Sequence, residues 1–178
     1  MSASPFFYIE HFNQKTNQWE KFDIFAKNEK GELKPVELWW WNGTHELFSV
    51  LELEHSYDSP SFNGIHFGLP SNVSEELKSI YNSHCYETEL GTISEPQVIW
   101  FNMADGLLYL EHNPTVLDYD EMDEYWEENG DDLGEVPKIY KDNPLKGLID
   151  RVESFTSIGL DEWDYFPSDI RVIGWLLW

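Results

Sequence analysis

The hydrophobic and polar positions of the first quarter of the chain follow the pattern of β-strands separated by polar turns. Residues 6–11 and 18–25 are rich in aromatic and β-prone side chains, and the polar residues 13–17 between them are typical of a hairpin loop. A second turn at residues 28–31 leads into the apolar run 36–41. We predict that these three strands form an antiparallel meander.

Four later segments show signals for helices. The predicted helices span residues 45–53, a segment that begins at one of two possible caps within residues 71–74 and runs to about residue 82, residues 103–110, and a segment that begins at Pro144. The other three follow residue types that cap helix N-termini, namely Thr44, Asn102 and Asn143. In the last of them, apolar residues recur at the spacing of one helical face.

Two further apolar runs predict strands in the interior of a sheet. Residues 97–101 read as a buried strand, and residues 170–178 are apolar enough for a central strand at the C-terminus. Strands first and interleaved helices later indicate an α+β fold with an antiparallel sheet. At 178 residues, we expect one domain over residues 1–178.

The acidic residues of the chain are concentrated in one segment, which bears on the predicted structure and function there. The chain has 34 acidic against 11 basic residues, a formal net charge of -23. Residues 118–135 hold ten of the acids and no base. Such a surplus costs stability through self-repulsion and calls for an explanation such as solubility or a basic partner. We predict that residues 118–136 form an acidic loop.

Aromatic residues among these acids make the segment a candidate partner-binding surface. Duplex DNA carries one charge per roughly 1.7 Å of axis, so 23 net charges match about 39 Å of duplex. The candidate residues combine acids with the aromatic types that anchor interfaces: Asp118, Tyr119, Asp120, Glu121, Asp123, Glu124, Tyr125, Trp126, Glu127 and Glu128. The alternative is a solvated loop whose aromatic side chains pack onto the body of the protein.

Catalytic and metal-binding patterns are not evident. A lone Cys85 excludes an internal disulfide, and its neighbour His84 does not by itself make a thiolate–imidazole pair. The six histidines lack metal-ligand spacing, and Met122 breaks the calcium-loop pattern. We therefore predict that the protein binds no metal and no cofactor and has no catalytic residue. A binding protein is the favoured class, and an enzyme with an unrecognised site is the remaining alternative.

Arg171 supports a second interpretation. It lies within an apolar strand, and a buried guanidinium needs a partner. Asp169 is two residues away on the same strand face, and one of the many Glu residues could serve equally well as the partner. A carboxylate or phosphate of a ligand is the functional alternative. A protein that binds a small, nucleotide-like ligand in an aromatic pocket would use the residues His45, His66, Trp100 and Arg171.

The N-terminus shows no secretory signal, and no apolar run approaches the roughly 20 residues of a membrane span. These features, with the single cysteine, predict a cytoplasmic protein. Direct binding of nucleic acid is disfavoured because only Arg151 and Arg171 supply guanidinium groups.

A set of short motifs spans most of the chain. They are Thr44-His45-Glu46-Leu47-Phe48, Phe67-Gly68-Leu69-Pro70 with Ser74-Glu75-Glu76, Trp100-Phe101-Asn102-Met103-Ala104-Asp105, and Asp169-Ile170-Arg171-Val172-Ile173-Gly174-Trp175. In this order they resemble a group of small bacteriophage and prophage proteins of unknown function. The resemblance implies a bacterial cytoplasm and a protein that acts on host machinery. With the charge, it leads to the expectation of a non-enzymatic protein that blocks a basic host protein, such as a defence nuclease or another nucleic-acid-binding protein.

Overall fold

The computed structural model describes residues 4–27, 30–36, 47, 49–51, 60–87, 91, 93–129, 137–159 and 166–177. The strands within these residues are β1 (Ser4–Asn13), β2 (Gln18–Lys21), β3 (Ile24–Lys27), β4 (Leu33–Val36), β5 (His66–Phe67), β6 (Tyr86–Glu87), β7 (Ile93–Ser94), β8 (Gln97–Asn102), β9 (Thr115–Leu117), β10 (Tyr140–Asp142) and β11 (Ile170–Leu177). The helices are α1 (Glu75–His84), α2 (Met103–His112), α3 (Tyr119–Asn129) and α4 (Pro144–Gly159), with a 3-10 turn at Pro167–Asp169. No helix in these ranges is long and apolar enough to cross a membrane.

A five-stranded antiparallel sheet with the order β2-β1-β11-β8-β5 forms the centre of the fold. The C-terminal strand β11 lies in its middle and pairs with β1 from Ser4↔Leu177 to His11↔Ile170. On its other side, β11 pairs with β8. The α+β class, the antiparallel sheet and the central C-terminal strand are confirmed.

Helices cover both faces of this sheet. Because side chains alternate along a strand, Tyr8 faces one core and its neighbours Phe7 and Ile9 face the other. Leu77 of α1 packs with Tyr8, Val98, Ile173 and Trp175 on the first face. Residues of α2 and α4 pack with Phe7 and Ile9 on the second face, where the contributing side chains include Met103, Tyr109, Leu145, Leu148, Ile149 and Val152.

The first hairpin of the predicted N-terminal meander is confirmed, and the structure departs from the predicted meander after this hairpin. β1 and β2 form the expected hairpin, in which Asn17 has a positive φ of 55°. The predicted second strand is two strands, because the chain leaves the sheet after Lys21 and β3 pairs with β4 in a separate ladder. The predicted third strand, 36–41, lies outside the described residues apart from Val36, which ends β4.

Local capping explains where two of the predicted helices begin. Ser74 Oγ accepts a hydrogen bond from Leu77 N (3.3 Å), and Asn143 Oδ1 accepts one from Leu145 N (3.0 Å). Asn102 precedes α2 as predicted but makes no side-chain cap, and its Oδ1 has no hydrogen-bond partner among the described residues. Most of the predicted helix 45–53 lies outside the described residues.

The acidic loop predicted over 118–136 is wrong for its first part. Residues Tyr119–Asn129 form the helix α3, while 130–136 lie outside the described residues. The helix forms because Tyr119, Met122 and Tyr125 recur every three residues and are all half-buried, which gives it a face towards the body. The density of like charges concealed this periodicity.

Candidate functional site

The six carboxylates of α3 form one continuous face. They are Asp120, Glu121, Asp123, Glu124, Glu127 and Glu128. At about 100° per residue, they occupy an arc about 160° wide, and Tyr119, Met122, Tyr125 and Trp126 fall outside it. We call these six residues the acidic face.

The acidic face is open to solvent and is not neutralised by the rest of the described chain. All six of its residues are exposed. Within the described residues, no Lys, Arg or His lies within ion-pair distance of these six carboxylates. Trp126, at the border of the face, leaves 49% of its surface exposed. The surface therefore offers negative charge beside an accessible indole ring.

Asp118 has a different position from the other predicted acids. Its side chain is only 14% exposed, and its Oδ1 accepts hydrogen bonds from Glu121 N (3.3 Å) and Lys141 Nζ (3.1 Å). Asp118 thus caps α3 and fastens its start to strand β10. Its carboxylate stabilises the helix and is not part of the acidic face.

Repulsion within α3 is a real cost to the fold. Six pairs within the acidic face lie three or four residues apart: 120–123, 120–124, 121–124, 123–127, 124–127 and 124–128. Like-charge pairs at this spacing cost about 0.2–0.5 kcal/mol each, or about 1–3 kcal/mol together. Glu127 and Glu128 also lie in the last turn, where the helix dipole disfavours negative charge.

Arg171 is fully engaged by protein groups. The side chain is 2% exposed; its Nε donates to Glu10 Oε2 (2.7 Å), and its Nη2 forms a salt bridge to the same oxygen. Nη1 donates to Asn72 Oδ1 (2.8 Å), and Nη2 also donates to Asn72 O (3.1 Å). Burial lowers the pKa of Arg171, while the charge of Glu10 opposes this shift. Four donor contacts leave little of the guanidinium for a ligand.

The partner of Arg171 is Glu10, one of the Glu residues that the sequence left open as alternatives to the nearby Asp169. Asp169 lies in the 3-10 turn and accepts a hydrogen bond from Gln14 Nε2 (2.9 Å). Glu10 is completely buried, and its Oε1 also accepts a hydrogen bond from Ser74 N (2.8 Å). The Glu10–Arg171 pair therefore holds the start of α1 on the sheet. An acid in the apolar stretch of β1 was the sequence signal for this pair.

Three of the four residues of the alternative site do lie together. The guanidinium carbon of Arg171 is 4.1 Å from the centre of the Trp19 ring and 5.7 Å from that of Trp100. His66 stacks on Trp100 with ring centres 4.1 Å apart. His45 lies outside the described residues. The Trp100 ring is thus covered by His66, and sequence reasoning missed Trp19, Glu10 and Asn72.

No protein-family model, curated protein or solved structure is significantly similar to this chain. Within the described ranges, no group of three or more His, Cys, Asp or Glu residues is arranged to hold a metal ion. The geometry of the described residues is therefore the basis for the functional argument.

Proposed function

We propose that this protein is a non-catalytic binding protein whose acidic face on α3 docks onto a basic, nucleic-acid-handling protein. The observation that carries the proposal is the segregation of six exposed carboxylates on one side of α3, none of which has a basic partner among the residues that the structure describes. Repulsion among these charges lowers the stability of the fold by about 1–3 kcal/mol. An attractive interaction with a partner outside the chain explains why they are nevertheless present together.

Charge spacing supports mimicry of a nucleic-acid backbone. The six charges of α3 run from residue 120 to residue 128, about 12 Å at 1.5 Å per residue, so they lie on average about 2.4 Å apart along the axis. This value falls between the spacing of one DNA strand, about 3.4 Å, and that of the duplex, about 1.7 Å. A groove that is lined with Lys and Arg for phosphates would meet a similar density of negative charge on this helix.

Trp126 gives the same surface an anchor. Interfaces gain most of their binding energy from a few aromatic and Arg residues, whereas rim charges mainly raise the association rate. An exposed indole beside carboxylates can contact the aliphatic stem or the charged head of a partner's Arg or Lys. Specific binding would therefore combine steering by the acidic face with contact at Trp126.

The alternative of a small-ligand site around Arg171 has less support. Glu10 and Asn72 occupy the guanidinium, and His66 covers Trp100. An anionic ligand would have to displace a buried carboxylate. The docking proposal needs no such rearrangement.

The setting of the proposal comes from the motif resemblance to bacteriophage and prophage proteins. The resemblance supports a setting in the cytoplasm of a bacterial host, where the partner would be a defence nuclease or another protein that handles nucleic acid. Blocking that partner's nucleic-acid groove would be the biological effect.

The test uses two variants with the same change in charge and composition. The first, D123N/E124Q/E127Q, neutralises half of the acidic face. The control, E87Q/E111Q/D142N, removes three exposed charges elsewhere. Each immobilised protein is exposed to bacterial lysate at about 50 mM and 200 mM salt, since electrostatic association weakens as screening increases.

We expect wild type and control to capture the same basic protein at low salt and less of it at high salt. The α3 variant should capture much less at low salt. Equal capture by the α3 variant and the control would overturn the proposal.

A further inference from the structure

An open groove of about 680 Å³ lies between β2 and the turn that leads into α1. One wall is formed by Phe12 and residues 17–21, and the other by residues 71–76. Neighbouring side chains of a strand point to opposite faces. A run of consecutive β2 residues in one wall therefore indicates that the backbone of β2, and not only one alternate set of its side chains, lines the groove.

Among the strands that the structure describes, β2 is the terminal one of the five-stranded sheet, so no described strand pairs with its outer edge. Phe22 N donates to Ile9 O (2.8 Å), so residues 22 and 9 are a hydrogen-bonded pair. Hydrogen-bonded and non-hydrogen-bonded pairs alternate along an antiparallel ladder. The backbone groups of Gln18 and Glu20 therefore face β1, and those of Trp19 and Lys21 point to the open edge.

The charges along this groove are mostly negative. Glu20, Glu75 and Glu76 line it; the Glu75 side chain is 90% exposed, and its Oε1 lies 3.8 Å from the exposed Lys78 Nζ. The one base in its walls is Lys21, whose amine is bound by Asp23 and by Glu76 (3.1 Å). Trp19 lines the same groove, and its ring packs against the guanidinium of Arg171. These features favour a ligand that is extended, basic and able to form main-chain hydrogen bonds.

We propose that this groove binds an extended basic segment of a partner protein, which adds to β2 as a further strand. Strand addition draws affinity from main-chain hydrogen bonds, here with Trp19 and Lys21, and specificity from alternate side chains. Basic side chains of the segment would face Glu75 and Glu76. The inference rests on the proposed function only in taking the partner to be basic, because this groove is separate from the acidic face of α3.

The experiment is an NMR titration of the full chain with the blocked peptide Arg-Val-Arg-Val-Arg. We expect the backbone amide signals of Trp19 and Lys21 to shift most and to become protected from hydrogen exchange. Two further peptides carry N-methyl groups on one or the other alternate set of amides. A peptide strand that adds to β2 forms main-chain hydrogen bonds to it along one of its two edges only. The peptide whose N-methyl groups lie on that edge should bind at least about fivefold more weakly than the unmethylated peptide. The peptide methylated on the opposite edge should bind nearly normally.

Protein variants separate this inference from the proposed function. Glu75→Gln should weaken peptide binding about two- to fivefold, the usual range for one exposed charge pair. Glu111→Gln, outside the groove, should bind like wild type. The α3 variant D123N/E124Q/E127Q should also bind the peptide normally, even if it fails to capture the partner.

Three results would overturn the strand-addition proposal: no peptide binding by wild type, equal affinity for both methylated peptides, or principal shifts outside residues 17–22 and 71–76. None of these results bears on the acidic face of α3.

Discussion

Neutralising part of the acidic face should stabilise the protein. In D123N/E124Q/E127Q, every one of the six repulsive pairs on α3 loses at least one charge. The capping Asp118 and the first-turn acids Asp120 and Glu121 remain. Six pairs at about 0.2–0.5 kcal/mol predict a gain of about 1–3 kcal/mol in the free energy of unfolding.

The assay is thermal unfolding at low ionic strength, followed by circular dichroism. For a chain of this size, each kcal/mol raises Tm by about 2–4 °C, so we expect an increase of about 2–12 °C. The gain should shrink near 1 M salt, where the Debye length falls to about 3 Å.

The matched control E87Q/E111Q/D142N measures the effect of net charge alone and should move Tm less. An unchanged or lower Tm in the α3 variant would refute the reasoning. It would mean that these carboxylates are compensated by groups within the chain.

Three other predictions concern the core and its titration. Glu10→Ala should cost about 3–5 kcal/mol, because it leaves the guanidinium of Arg171 buried without a charge partner; urea unfolding measures the loss, and a cost below about 1 kcal/mol would contradict a buried pair. Gly174→Ala should cost about 1–3 kcal/mol, because a Cβ there would lie 2.6 Å from the buried ring of Phe7; a wild-type urea midpoint would refute this. Burial raises the pKa of Tyr81 from its ordinary value of 10.0 to about 12, so the folded state holds this proton more tightly and stability should fall as pH rises between these values; the fall should be smaller in Tyr81→Phe, and an identical pH dependence would contradict the assignment.

Helix starts could be predicted from the sequence because their causes are local. Ser74 and Asn143 make their capping bonds to residues two or three positions ahead. The apolar spacing after Pro144 likewise depends only on neighbouring residues. These signals are complete within one or two helical turns.

Strand order and the partner of Arg171 could not be predicted in this way. β1 and β11 come from opposite ends of the chain, and Glu10 lies 161 residues from Arg171. A nearby acid, Asp169, satisfied the charge argument equally well from sequence alone. Only the register of the sheet places Glu10 beside Arg171.

The composition of the acidic face could be read from the sequence, but its arrangement on one side of a helix was not predicted. The sequence singles out residues 120–128 as a dense set of acids with aromatic neighbours. Their charge suggested a loop, although Tyr119, Met122 and Tyr125 already showed helical spacing. Folding as a helix is what separates the carboxylates onto one side and leaves Trp126 at their border.

Competition with duplex DNA tests the central claim most directly. The partner captured by wild type at low salt is purified and titrated with the protein in the presence of an increasing concentration of duplex oligonucleotide. If α3 occupies the partner's nucleic-acid groove, DNA and protein should exclude each other, and D123N/E124Q/E127Q should compete much more weakly than E87Q/E111Q/D142N. Simultaneous binding of DNA and protein to the partner, or equal competition by the two variants, would contradict the account.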